Sequence, residues 1–254
     1  MRKRVSAAVA TGALALTGLA VPAATAAPAA EEIKLSNIKV NGGKDVLIGT
    51  GNKKFTITFD ASHSANIQAD PTIVGWRALN DLLPNEFGRD HCKVVSDTKS
   101  SCTATFNVNP QNYDIENSEA GSWKTEVYIV STDYESTLDK DNIKSFKVLR
   151  AAKLTANASP EPIKKGKTLT ITGALTRANW DTYKYGGYTS QPVKLQFQKK
   201  GTTTWSTVKT IKSDGRGNLK TTVKAERDGS FRYVFAGTST TPAVNSSADA
   251  VDVR

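Results

Sequence analysis

The sequence is poor in the residues on which most reactions depend. It has two histidines, His63 and His91, with 27 residues between them, and two cysteines, Cys92 and Cys102, ten apart. Zinc sites of the HExxH or paired CxxC kind need clustered ligands, so zinc is not expected. A redox pair would need its cysteines two residues apart, as these are not. Ser101, Ser118, Ser122 and Ser136 lack a nucleophile-elbow setting, and Gly121-Ser122 lacks the flanks of GxSxG. His91 stands beside Asp90, but adjacency alone makes no relay. Glu116 and Glu119 are local neighbours and define no glycosidase cleft. The richest set of oxygen ligands is Asp133 to Asn142, with Glu135, Asp139 and Asp141. Its spacing misses the calcium-loop pattern and reads as an acidic surface turn. The expectation is no cofactor, no metal and no catalytic residue.

Long apolar runs are also absent after the first segment. Arg2, Lys3 and Arg4 precede a small, apolar stretch from Ser6 to Val21, and Ala24-Thr25-Ala26 offers a small-x-small cleavage site. This is the pattern of a secretory signal peptide, 1–26, cut after Ala26, with Ala27 or Ala29 as alternatives. Residues 27–32 read as a mobile lead-in. The chain is expected to be secreted and extracellular, free or associated with the cell surface, with no transmembrane span in the mature form. In that oxidising setting Cys92 and Cys102 form a disulfide.

No amphipathic helix of three turns is legible. Short alternating runs fill the chain instead. Ile33 to Val40 slips phase near Ser36-Asn37, as a bulged strand does. Val46 to Ile48 is short, and Phe55, Ile57 and Phe59 alternate with threonines. Ile73 to Trp76 is apolar, and Leu79 to Leu83 is compatible with a helical turn stopped by Pro84. Lys93–Val95 and Thr103–Val108 read as a hairpin clamped by the cysteines. Trp123 to Val130 follows, then a polar turn at Asp139–Asn142, then Ile143 to Leu149. Seven or eight strands suit a β-sandwich over 33–150. Leu149 and Leu154 are five residues apart with no Gly/Ser or Pro-rich spacer, so 151–254 follows without a flexible linker.

The clearest pattern is Pro192 to Ala236. Val193, Leu195 and Phe197 alternate with Lys194, Gln196 and Gln198. Asp214-Gly215-Arg216-Gly217-Asn218 is a turn, Leu219, Thr221 and Val223 share a face, and Phe231, Tyr233 and Phe235 alternate with Arg232 and Val234. Antiparallel strands of this kind bury one face and wet the other. Together with Thr168–Gly173, Trp205 and Gly229–Gly237, this region resembles the immunoglobulin-like modules of secreted and cell-surface bacterial proteins. The resemblance implies an immunoglobulin-like C-terminal domain and a spacer, adhesive or assembly role. The inter-sheet cysteine pair of antibody-type domains is missing. The fold class expected is all-β: two tandem β-sandwich domains, the second immunoglobulin-like.

Charge is uneven. From Arg150 to Arg254 there are 18 basic and 7 acidic residues, against 13 and 17 from Glu31 to Leu149. A basic exported module points to an anionic cell-envelope polymer or an extracellular protein as partner, not to nucleic acid. Thr176 to Ser190 reads as a long loop carrying Arg177, Trp180, Tyr183, Lys184, Tyr185 and Tyr188, where aromatics can stack and cations attract anions. A second candidate face is Asn80 to His91, with Leu82, Leu83 and Phe87. The sequence therefore points to a non-catalytic structural or interaction protein. The alternative is an extracellular enzyme or enzyme inhibitor whose site leaves no signature.

Overall fold

The computed structural model describes residues 31–69, 72–77, 80–82 and 91–254, and only the backbone of 72–77, 80–82 and 91. The signal segment and most of the Asn80–His91 face lie outside the described residues. Among those described, no helix is long and apolar enough to cross a membrane. Residues 31–254 form one compact unit.

Among the described residues nine strands come first: β1 (Lys34–Val40), β2 (Val46–Ile48), β3 (Lys53–Ser62), β4 (Thr72–Arg77), β5 (Asn80–Leu82), β6 (His91–Ser96), β7 (Lys99–Val108), β8 (Gly121–Val130) and β9 (Thr137–Arg150). One sheet has the order β1-β3-β7-β6 and the other β2-β9-β8-β4-β5. The first edge of the fold is thus split: β1 pairs antiparallel with β3, and β2 crosses over to run parallel with β9. A split first strand between two Greek-key sheets is an immunoglobulin-like arrangement. Alternation explains the burial. Phe55, Ile57, Phe59 and Ala61 of β3 face Trp123, Val127 and Ile129 of β8 across a common core. Phe55 and Phe106 are register partners with stacked rings, centroids 4.9 Å apart.

The phase slip in β1 is a real irregularity. The register shifts between Ser36 and Lys39, and Asn37 sits at φ 55°. The Asn37 amide then reaches Asp60 Oδ2 at 2.7 Å, and Lys99 Nζ lies 3.0 Å from the same oxygen. These two contacts, the Asn37 hydrogen bond first, hold the Asp60 carboxyl below its ordinary range.

Two local expectations are corrected. Asn80–Leu82 is not a helical turn but a strand, whose backbone pairs with Gly75–Arg77. Asp139–Asn142 is not a turn but part of β9, and a shift in its pairing with β8 places the left-handed Asn142 (φ 56°) in a bulge. The chain reverses earlier, at 131–136, where Ser131 and Asp133 close the turn through side-chain hydrogen bonds. Asp139 and Asp141 stand two apart on that strand, with Lys140 between them, and both are exposed.

Cys92 and Cys102 are direct cross-strand partners on β6 and β7 and are disulfide-bonded. Both strands belong to one sheet, so the bridge staples a hairpin and does not join the two layers. Replacing both cysteines by serine is expected to lower stability by about 2–3 kcal/mol, the loop-closure entropy of so short a ring. Urea unfolding of the variant against the oxidised protein checks this.

The second sandwich begins two residues after β9. Its strands are β10 (Ala152–Leu154), β11 (Asn157–Ser159), β12 (Thr168–Asn179), β13 (Lys184–Gly187), β14 (Pro192–Lys199), β15 (Ser206–Lys212), β16 (Asn218–Lys224), β17 (Gly229–Phe235), β18 (Val244–Asn245) and β19 (Asp249–Val251). In one sheet β12 is flanked by β10 and β11 on one side and by β16 and β13 on the other. The other sheet runs β15-β14-β17, with β18 and β19 both beside β17. The Pro192–Ala236 run therefore supplies three strands of one sheet and one of the other. Leu169, Ile171 and Leu175 meet Val193, Leu195, Tyr233 and Phe235 in a separate core. The Tyr233 hydroxyl donates to the Ile171 carbonyl at 3.0 Å, which ties the two sheets through an otherwise apolar interior.

The Asp214–Asn218 turn is closed by its own first residue. Asp214 Oδ1 accepts from the backbone N–H of Arg216 and of Asn218, and Oδ2 accepts from Asn218 Nδ2. Those bonds, the Arg216 N–H first, lower the Asp214 pKa. Gly217 is required there. Its φ is +82°, and a Cβ would sit 2.5 Å from the Leu175 carbonyl oxygen.

Candidate binding surface

The 176–190 segment is not a loop. β12 continues to Asn179, the chain turns through Trp180–Tyr183, and β13 returns along it, with Thr176 opposite Gly187 and Asn179 opposite Lys184. The result is a two-stranded arm. Aromatic and glycine content suggested a loop, but Trp and Tyr are also strong strand formers. Leu169, Ile171 and Leu175 of β12 face the second core, and the buried positions then change parity to Ala178 and Trp180, which face the first.

The arm does not project into solvent, for Trp180 is fully buried in the core of the first sandwich, with Ile48, Ile115 and Trp123. Its indole N–H donates to the Ile48 carbonyl at 3.1 Å. Its backbone N–H donates to Asn117 Oδ1 at 2.9 Å. Asn117 also donates from Nδ2 to Asn179 Oδ1 at 2.8 Å and to the Asp181 carboxylate, which accepts the Asn117 backbone N–H as well. The expectation that Trp180 stacks on a ligand is therefore corrected: it is a core residue of the neighbouring sandwich.

Arg150 reinforces the joint. It is the last residue of β9 and is buried, and its Nε donates to the Ala178 carbonyl at 2.7 Å. Burial, with Arg177 beside it, pulls its guanidinium down to about 10, still protonated at neutral pH. Around it the Ala151 N–H donates to the Ile48 carbonyl and the Ala178 N–H to the Ala151 carbonyl. Backbone bonds thus run without interruption from the first sandwich, through the short connection, into the arm.

The other expected binding residues divide into two groups. Tyr185 is half-buried against the first core, with the Lys153 ammonium 3.9 Å from its ring centre, and burial raises its phenol pKa. Tyr188 takes the Arg177 guanidinium on its face at 4.0 Å and meets Phe235 edge-on at 5.6 Å. Arg177, Tyr185 and Tyr188 thus attach the arm to its surroundings. Tyr183 and Lys184 remain at the tip. Tyr183 packs edge-on against Tyr113, ring centres 6.1 Å apart, and Tyr113 is 80% exposed. A side-chain hydrogen bond with Tyr113 is the main cause of a raised Tyr183 pKa. The two tyrosines edge a shallow hollow of about 180 Å³ that also touches Pro110, Glu116 and Asp181. Tyr113 was missed from sequence because it lies in a polar loop 70 residues from Tyr183; only the fold joins them.

The structure also assembles a serine–histidine pair. His63 Nε2 lies 3.1 Å from Ser136 Oγ, and both residues are buried. The Ala65 backbone N–H points at His63 Nδ1, so that nitrogen carries the lone pair and Nε2 carries the proton. Ser136 Oγ in turn donates to the Glu31 carbonyl at 2.7 Å. A base needs its lone pair facing the serine, so this arrangement is a tether for the residues before β1 and not a nucleophile with its base. No group of three or more His, Cys, Asp or Glu among the described residues is placed to hold a metal ion.

No protein-family model matches the sequence, and no curated protein matches it. Solved structures do. The dimeric latent PorU of Porphyromonas gingivalis is 11% identical with TM-score 0.30, over 88% of this chain and 20% of that one. This chain thus spans about a fifth of that protein. The D00-D0 domain of intimin is 13% identical with TM-score 0.28, over 84% of this chain and 98% of that one. The fibronectin(III)-like modules of Clostridium thermocellum CbhA are 10% identical with TM-score 0.31, over 85% and 92%. These likenesses carry no functional argument, and the architecture rests on the sheet order itself.

Proposed function

We propose that the chain is an exported, non-catalytic interaction protein in which two immunoglobulin-like sandwiches act as one stiff unit. Its partner is an anionic cell-envelope polymer or another extracellular protein. The observation that carries this reading is the burial of Trp180, from one sandwich, in the core of the other. A joint of this kind fixes the spacing and direction of two surfaces, which suits a spacer or an adhesive unit better than a chain that needs a moving cleft. The basic balance of the second sandwich supports an anionic partner. Tyr113 and Tyr183, with Lys184 beside them, offer the aromatic edge on which a sugar or peptide side chain would stack.

Retention of the mature protein on isolated cell walls tests the partner. Retention is expected at low salt and should fall steeply as ionic strength rises, because contacts between exposed charges are screened over about 10 Å at 0.1 M salt. Tyr183→Ala should weaken retention further without changing the melting temperature. Retention that is indifferent to salt, or absent at every ionic strength, would remove the anionic-polymer reading.

A further inference from the structure

A second site lies away from the tyrosine tip. β15 and β16 are edge strands of different sheets, with no backbone ladder between them. Between them the second sandwich opens as a groove of about 490 Å³ that reaches its core. Leu169, Phe197, Val223, Phe231 and Val251 line it. Leu169 is fully buried and Phe231 nearly so, while the Phe197 and Phe231 rings pack against each other at 4.8 Å. This is the size and the apolar character of a small-molecule site.

A bulge shapes the groove. The β14–β15 register shifts between Leu195 and Gln196, whose partners are Lys209 and Thr207, and so leaves Val208 unpaired. Val208 joins the lining while remaining 42% exposed, an apolar side chain at the entrance. Next to it, Lys209 Nζ reaches across the gap and donates to the Thr222 carbonyl of β16 at 2.9 Å. That bond spans the two sheets beside Val208.

The rim is basic. Lys199, Lys224 and Arg227 border the groove, against one carboxylate, Glu226. Among the described residues none of the three cations is ion-paired, whereas neighbouring Lys200 is held by Asp228 at 3.2 Å. Lys224 Nζ contacts the neutral Thr168 hydroxyl at 3.2 Å. An apolar slot beneath unpaired cations is complementary to a molecule with a hydrocarbon body and a single negative end.

We propose that this groove binds a single-chain fatty carboxylate, with its chain between the sheets and its carboxylate at Lys199, Lys224 and Arg227. Neither export nor the tyrosine tip is needed for this site. A neutral hydrocarbon would leave the rim charges unanswered, and a cationic amphiphile would meet repulsion from them.

Calorimetric titration of the full chain with dodecanoate, kept below its micelle concentration, tests the proposal. Saturable binding of one molecule per chain is expected. Val208→Glu should weaken it by more than about tenfold, because a carboxylate is placed in an apolar wall. Should that variant melt early, Thr204→Trp blocks the entrance from an exposed position and should weaken binding as much. Lys224→Glu with Arg227→Glu should cost about fivefold or more, as two exposed charges are reversed. Dodecyltrimethylammonium should bind more weakly than dodecanoate. The proposal is overturned by absence of saturable dodecanoate binding, by equal binding of the two amphiphiles, by folded entrance variants that bind as the parent does, or by binding confined to anionic phospholipid vesicles.

Discussion

Replacing Trp180 with alanine is expected to destabilise the first sandwich by about 3–5 kcal/mol, although the residue belongs to the second. The indole is fully buried among the residues of the first core, and its removal leaves a cavity and takes away one of the two hydrogen bonds at the Ile48 carbonyl, the other coming from the Ala151 N–H. Urea unfolding followed through a probe in the first sandwich, such as the Cys92–Cys102 hairpin amides, reads the effect. An isolated arm on a loop would predict a loss below about 0.5 kcal/mol, as for ordinary surface positions. The same variant should also loosen the joint, since Asn117 bonds Asn179, the Trp180 backbone and Asp181 on the turn that carries the indole.

Phe235→Ala should cost a comparable 3–5 kcal/mol, roughly, but in the other core. Phe235 is register partner to Val193, is 1% exposed and is touched edge-on by Tyr188. Its loss therefore reaches the base of the arm as well as the interior. Trp180 and Phe235 lie in separate clusters, so the two substitutions should be close to additive, within about 0.5 kcal/mol. A large coupling energy in the double variant would show that the two cores are one cooperative network. Equilibrium unfolding of the four proteins in the cycle measures this.

Most strands were legible because one face of each is dry. Period-two alternation in Phe55–Ala61 and in Phe231–Phe235 reports burial directly, and the slip near Ser36-Asn37 reported a bulge. The short connection at Ala151 was equally plain from the spacing of Leu149 and Leu154. What failed were segments whose composition favours turns but whose setting favours strands. Asp139–Asn142 is polar because both faces of that part of β9 are wet, not because the chain turns there. The 176–190 arm carries Asn, Asp and Gly at positions that a loop would use, yet Trp180 finds its burial in the neighbouring sandwich. No reading of one domain's periodicity predicts a partner core. The same holds for Tyr113 beside Tyr183, for His63 beside Ser136, and for the groove between β15 and β16, each of which exists only once distant strands are brought together.

The claim on which the rest depends is that the two sandwiches are one rigid body joined through Trp180. Residual dipolar couplings of backbone amides in partially aligned solution test it most directly. Amides of β3, β7 and β8 and amides of β12, β14 and β17 are predicted to fit a single alignment tensor, and Trp180→Ala to split it. Two tensors of different magnitude in the parent protein, one for each sandwich, would contradict it.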